Sequence, residues 1–338
     1  MAAEVAAQPE LLAGLVGHRA EIAEVAEVVA GRRPRFALLA ARGSSDHAAL
    51  YAKYLIEVLL QLPAGLVSPS TTTLYGAKPD LSDVLFLTVS QSGGSPDLIE
   101  VTQAARDQGA LTVAVTNTTG SELQAAAELS VDVRAGTELA VAATKSYTAT
   151  LLGLYLLVDA IRGGDGRAVA DIGALASSTL DQSGAAADEA AQRYRYVERV
   201  VTTGRGYSLA SALEAALKLA ETSYLSARAY SGADLLHGPV AAVDSETGVL
   251  AVTSNGAGAA AMREVLATVH GRGADVLAVG SAAHDMPAAA RLAVAASAEE
   301  VAPILEILPI QRLALALSLA RGGDPDQPRG LNKVTKTR

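Results

Sequence analysis

In the stretch GRGYSLASALEAALKLAETSYLSARAY, Glu214, Lys218 and Glu221 stand at i, i+4 and i+7, which puts all three on one face of a helix. A carboxylate so placed could lift a proton from a carbon acid, and the ammonium could steady the charge that develops. The plain alternative is a solvent face carrying an ordinary Glu to Lys pair. The neighbours are almost all Ala, Leu, Ser and Tyr, however, so the helix reads as buried, and buried charges need partners or a task. Lysine occurs only six times in 338 residues, at 53, 78, 145, 218, 333 and 336, which makes Lys218 conspicuous. His237 follows in LLHGPV, where a histidine beside Gly-Pro reads on its own as a structural group.

Two loops have a different chemistry. In LFLTVSQSGGSPDLIEVTQAA, Ser90, Gln91, Ser92, the glycine pair and Ser95 lie between a strand and a helix that should begin at Pro96 with Ser95 as its cap. A helix N-terminus offers unpaired N–H groups and partial positive charge, and small residues let the backbone close round an oxyanion. The loop LLAARGSSDHAAL repeats the design with Gly43, Ser44 and Ser45. The alternative is a pair of tight turns rich in small residues. Neither loop has the spacing of a Walker loop or of a dinucleotide fingerprint, so a sugar phosphate is expected before a nucleotide.

Such loops have to be held at the carboxyl edge of an open sheet. Short β-branched or Leu-rich runs alternate with Ala-rich helical stretches, the pattern of an α/β fold with mostly parallel sheets. Strands are expected near Arg35 to Ala41, Val84 to Val89, Leu111 to Thr116 and Leu129 to Val133, with helices over Asp46 to Leu60 and Pro96 to Gln108. RYVERVVTTG, TGVLAVTS and ADVLAVG begin a second series, with a helix over Ser208 to Ala227, which indicates two copies of one unit. The boundary falls around residues 161–195, a Gly-rich start followed by Ala-rich helix.

Composition narrows the function classes. With 27 basic and 36 acidic residues the net charge is -9, which argues against a nucleic-acid partner. The absence of Cys excludes disulfides, thiolate metal sites and a cysteine nucleophile, and leaves the cytoplasm as the expected address. His18, His47, His237, His270 and His284 show no metal spacing, so neither metal nor cofactor is expected. The opening 31 residues read as an amphipathic helix and not a signal peptide, and apolar runs elsewhere are interrupted by charge or Gly/Pro, so no membrane partner is expected.

Taken together, SQSGGSPDL, ELAVAATKSYT, GRGYSLASALEAALKLAETSYLSARAY, LLHGPV and DPDQPRGLNKVT occur in the order found in the SIS (sugar isomerase) domain family. From about residue 30 onward the chain resembles the isomerase half of glutamine:fructose-6-phosphate amidotransferases. With the N-terminal helix at 1–31 and the helical linker at 161–195 read from the residues themselves, the resemblance implies SIS domains at 32–160 and 196–320, each a mostly parallel sheet flanked by helices, and a C-terminal active-site tail at 321–338. It implies that Glu221 shuttles a proton between C1 and C2 of a sugar, with Glu214 and Lys218 in support. His237 would open the ring across a homodimer interface, giving shared active sites, and Lys333 would meet the open-chain sugar or form a Schiff base with it. Ser45, Ser90, Gln91, Ser92 and Ser95 match phosphate positions, and Gly43, Val141 and Ala143 match substrate-lining ones.

The sequence departs from the family where Gly94 replaces an acidic residue and Ala143 a serine. It contains no region resembling a glutaminase domain, so glutamine-driven synthesis is not expected of it. The resemblance implies a hexosamine phosphate substrate and isomerising deamination of glucosamine 6-phosphate to fructose 6-phosphate and ammonia. Dehydration of N-acetylglucosamine 6-phosphate through the same base is the alternative. A deglycase and a non-catalytic phosphosugar sensor are further ones.

Overall fold

The computed structural model describes residues 1–331 and Lys333. The remainder of the expected tail, residues 332 and 334–338, lies outside the described residues. The chain divides into two compact units. One comprises Leu11–Glu138, Lys145–Ala170 and Lys333, and the other comprises Met1–Glu10, Leu139–Thr144 and Asp171–Leu331.

The first unit is built on β1 (Phe36–Ala40), β2 (Ala64–Leu66), β3 (Val84–Ser90), β4 (Leu111–Thr116) and β5 (Leu129–Asp132), all parallel in the order β2-β1-β3-β4-β5. β3 and β4 are buried along nearly their whole length, as strands covered on both faces must be. Ala40 pairs with Thr88 and Ser90 with Thr116, so the loops after β1 and β3 leave the same edge side by side. The helix Lys145–Ile161, apolar almost all round, packs against the helices Arg19–Arg32 and Ser44–Leu55.

The second unit repeats the plan with β6 (Arg199–Gly204), β7 (Ser226–Ser231), β8 (Thr247–Val252), β9 (Asp275–Gly280) and β10 (Ala290–Ala293), ordered β10-β9-β8-β6-β7. Two parallel five-stranded sheets flanked by helices confirm the expected fold class. Against this sheet the helix Ser208–Ser223 packs on the helix Ala302–Ala320, which also meets the helix Ile172–Tyr194. Ala302–Ala320 is the one described helix long and apolar enough to cross a membrane, and 78% of its apolar window is buried within the structure.

Several boundaries differ from the expected ones. The opening stretch is not one helix but three, Ala2–Ala6, Gln8–Gly17 and Arg19–Arg32, with a break at His18. The helix expected to reach Ala227 stops at Ser223, because Tyr224 turns left-handed at φ 56° and the chain immediately enters the edge strand β7. The helix after β1 ends at Leu55 and is continued to Leu60 by a wider π turn.

Candidate active site

In the first unit, two helices begin at the carboxyl edge of neighbouring strands, Ser44–Leu55 after β1 and Pro96–Asp107 after β3. Their N-termini bring Ser45, Ser90, Ser92 and Ser95 to one edge with Gly43 and Gln91. Local bonds shape the second loop: Gly93 N–H donates to Ser90 Oγ at 3.2 Å and Gly94 N–H to Ser92 Oγ at 3.3 Å. The Gln91 carbonyl accepts from Asn117 N–H and from the Thr116 and Thr118 hydroxyls. Gly93 is required, since it has φ +60° and a Cβ there would lie 2.3 Å from Ser121 Oγ. Ser95 caps the helix by position with no side-chain cap bond.

The two loops are tied by a pair that sequence reasoning missed. Arg42, in the first loop, donates through Nε and Nη2 to the Asp97 carboxylate, each at 2.9 Å, and Asp97 is 2% exposed in the first turn of the second helix. A second missed residue is Glu138. Its carboxylate is fully buried and accepts from Ser146 N–H at 3.1 Å, from Ser146 Oγ at 2.7 Å and from Lys333 Nζ at 2.8 Å. Burial alone would raise its pKa, but the Lys333 ammonium and the Ser146 donors outweigh it and hold the carboxyl below its ordinary value. Lys333 therefore has a defined seat. Glu138 stands in the quoted motif ELAVAATKSYT, but its partner is 195 residues away in sequence and only folding brings the two together.

In the second unit the turn from β6 into the helix Ser208–Ser223 is tight enough that a Cβ on Gly204 would lie 2.6 Å from the Ser208 carbonyl oxygen. The helix presents Glu214, Lys218 and Glu221 as one cluster. Lys218 Nζ lies 3.4 Å from Glu214 Oε1 and 2.5 Å from Glu221 Oε2. Lys218 and Glu214 are 0% exposed while Glu221 retains 22%, so Glu221 is the member of the cluster that a solute can reach. Desolvation pushes the Lys218 pKa down, and the two carboxylates reverse this and raise it, so the group is an ammonium.

The same helix is anchored by a further buried carboxyl. Glu306 accepts from the Ser208 and Ser211 hydroxyls at 2.6 Å each, and burial pushes its pKa up against those bonds. Beyond Glu221 the helix closes on Tyr224, whose ring lies 4.1 Å from the Arg329 guanidinium and whose hydroxyl accepts from Arg329 N–H at 2.9 Å. His237 follows the short helix Gly232–Leu236 and is exposed; among the described residues no bond joins its ring to the Glu214–Lys218–Glu221 cluster. Val141 and Ala143 are half-buried in the irregular segment before Lys145.

The SIS domain model matches residues 32–160 and 194–320. The chain is 34% identical, over 99% of its length, to the isomerizing glutamine–fructose-6-phosphate aminotransferase of Pyrobaculum aerophilum, and spans 57% of that curated relative. Among solved structures, the C-terminal domain of glucosamine-fructose-6-phosphate aminotransferase from Francisella tularensis superimposes with a TM-score of 0.87 at 25% identity, covering 96% of this chain and 97% of that one. A candidate phosphosugar isomerase from Silicibacter pomeroyi gives 0.84 at 35% identity, covering 96% and 98%. With both sheets matched and a relative this similar along almost the whole chain, the protein belongs to the SIS domain family.

Proposed function

We propose that this protein is a phosphosugar enzyme that moves a proton between C1 and C2 of an opened hexosamine phosphate, and that its main reaction is isomerising deamination of glucosamine 6-phosphate. The observation that supports this best is the buried Lys218 ammonium between two carboxylates, of which Glu221 alone is accessible. In the opened aldose the C2 proton is α to the aldehyde, so a carboxylate can remove it and return it at C1. The product is a ketose imine, which adds water to give fructose 6-phosphate and ammonia. Lys218 steadies the enolamine charge. The serines at the β1 and β3 edge hold the phosphate, Lys333 engages the open-chain sugar, and His237 opens the ring of the substrate held by a second copy in a homodimer.

Dehydration of N-acetylglucosamine 6-phosphate is the second reading, left open by Gly94 and Ala143 standing where the family has an acidic residue and Ser. An amide nitrogen lends its lone pair to its carbonyl, the imine is then hard to reach, and the C2 carbanion can expel the C3 hydroxyl. The decisive experiment incubates both phosphosugars separately, assays ammonia and weighs the products by mass spectrometry. Ammonia and fructose 6-phosphate from the free amine support the first reading. A water-loss product from the acetylated sugar, with no ammonia from the free amine, replaces it with the second.

A further inference from the structure

The segment 139–144 forms neither helix nor strand, yet its burial alternates. Ala140, Ala142 and Thr144 are 1%, 1% and 0% exposed, whereas Leu139 is 82% exposed and Val141 and Ala143 are half-buried. The stretch bends at 140–142 and at 144, and it packs 140, 142 and 144 inward while 139, 141 and 143 keep exposed surface. An irregular segment has no ladder of its own to satisfy its backbone groups. At one end, Glu4 Oε1 accepts both Leu139 N–H at 2.5 Å and Ala140 N–H at 3.3 Å. At the other, Gln311 Nε2 donates to the Thr144 carbonyl at 3.1 Å, and Gln311 Oε1 accepts from Gln8 Nε2 at 2.8 Å. Gln8 and Gln311 are fully buried, and Glu4 is 9% exposed.

We propose that Glu4 and Gln8, from the first two helices of the chain, are positioning residues that clamp the 139–144 segment at both ends and so present Val141 and Ala143 to the sugar. The clamp grips the ends of the segment and leaves its centre for the ligand. This rests on the reading in which Val141 and Ala143 line the substrate. Neither Glu4 nor Gln8 touches the reacting atoms; both act through the segment.

The test compares the full-length protein with Glu4→Ala, Glu4→Gln and Gln8→Ala, by hydrogen exchange over residues 139–144, glucosamine 6-phosphate kinetics and inorganic phosphate binding. Glu4→Ala should lose amide protection at 139 and 140 and raise KM about tenfold, with inorganic phosphate binding unchanged, since misplacing a contact by a fraction of an ångström is enough for this. Glu4→Gln keeps an acceptor oxygen and should restore most of both. Gln8→Ala should loosen the Thr144 end and serves as the second variant if Glu4→Ala does not fold. Unchanged protection overturns the clamp, and lost protection with unchanged KM overturns its link to the sugar. If the wild-type protein turns over no phosphosugar at all, the functional reading fails, while the exchange data still decide the clamp.

Discussion

The loops after β3 and β8 occupy equivalent places in two sheets of the same order, and they differ in how their carboxylates are met. After β3, the helix start is lined by Ser90, Ser92 and Ser95, and the carboxylate in its first turn, Asp97, accepts Leu98 N–H at 3.0 Å and is paired with Arg42. After β8, Glu299 lies across the start of the helix Ala257–Gly271 and accepts both Ala257 N–H and Gly258 N–H at 2.9 Å. The hydroxyls of Ser208 and Ser211 after β6 are bonded to Glu306. In both copies a carboxylate thus meets a backbone N–H at the helix start, but Asp97 in the first is neutralised by Arg42, whereas Glu299 in the second bridges two N–H groups. Under the proposed reading the phosphate goes to the first unit and the proton chemistry to the second, and one phosphate per chain is the expected stoichiometry.

The sharpest way to separate the two roles is Glu221→Gln. Turnover and exchange of the C2 proton with solvent should fall by about three orders of magnitude, as loss of a general base does, while inorganic phosphate binding by calorimetry stays at wild-type affinity. Near-normal exchange would remove Glu221 from the role and move the chemistry out of the second unit.

Lys218→Met should cost about 3–5 kcal/mol in chemical denaturation, because two carboxylates would share a buried site without their cation. The sign of the pH dependence follows from the raised Lys218 pKa. Its contribution is complete below the ordinary lysine value of 10.5 and is lost as pH rises through the higher folded value. Wild-type protein should therefore weaken in strong alkali, and the Met variant should show less of that slope.

The paired substitutions Ser92→Ala and Glu299→Ala test this difference directly. Ser92→Ala should weaken phosphate binding by about tenfold, the worth of one hydrogen bond to a charged group. Glu299→Ala should leave the phosphate affinity of the first unit intact and lower stability by about 1 kcal/mol through the lost cap, read from the denaturation midpoint. Equal effects of both on phosphate affinity would break the comparison.

The smallest effect is in acid, where Glu138 and Glu306 respond in opposite directions. Glu138 is held below its ordinary value of 4.5, so its contribution is present above that pH and lost as pH falls through the folded value. Glu306 is raised above 4.5, so its contribution is complete below that pH and is lost as pH rises through the folded value. Glu138→Gln should flatten the acid limb of the stability profile, and Glu306→Gln the limb above it. A shared response would mean that the two buried carboxyls see one environment.

The parts that could be read in the sequence are those whose cause is local. Glu214, Lys218 and Glu221 are neighbours by helical periodicity, and Ser95-Pro96 announces a helix start, so both were found at their positions. Edge strands were harder: AGL at β2 and SARAYS at β7 are short or half-polar because only one side of each is paired. Arg42 with Asp97, Glu138 with Lys333, and Glu4 with the 139–144 segment could not be read, since each depends on a partner brought close only by folding. Glu306 lies in a helix that is otherwise almost wholly apolar. Its serine partners, Ser208 and Ser211, lie at least 95 residues away in sequence and supply the reason for it.

Tyr224 holds a backbone conformation that costs an L-residue roughly 1 kcal/mol, and Gly or Asn would adopt it more readily. Its ring and hydroxyl are nevertheless what Arg329 leans on. Heat tolerance and tail docking therefore pull on this codon in opposite directions. A random library screened only for survival at high temperature should accumulate Gly or Asn at 224, and the winners of that screen should be the poorer catalysts.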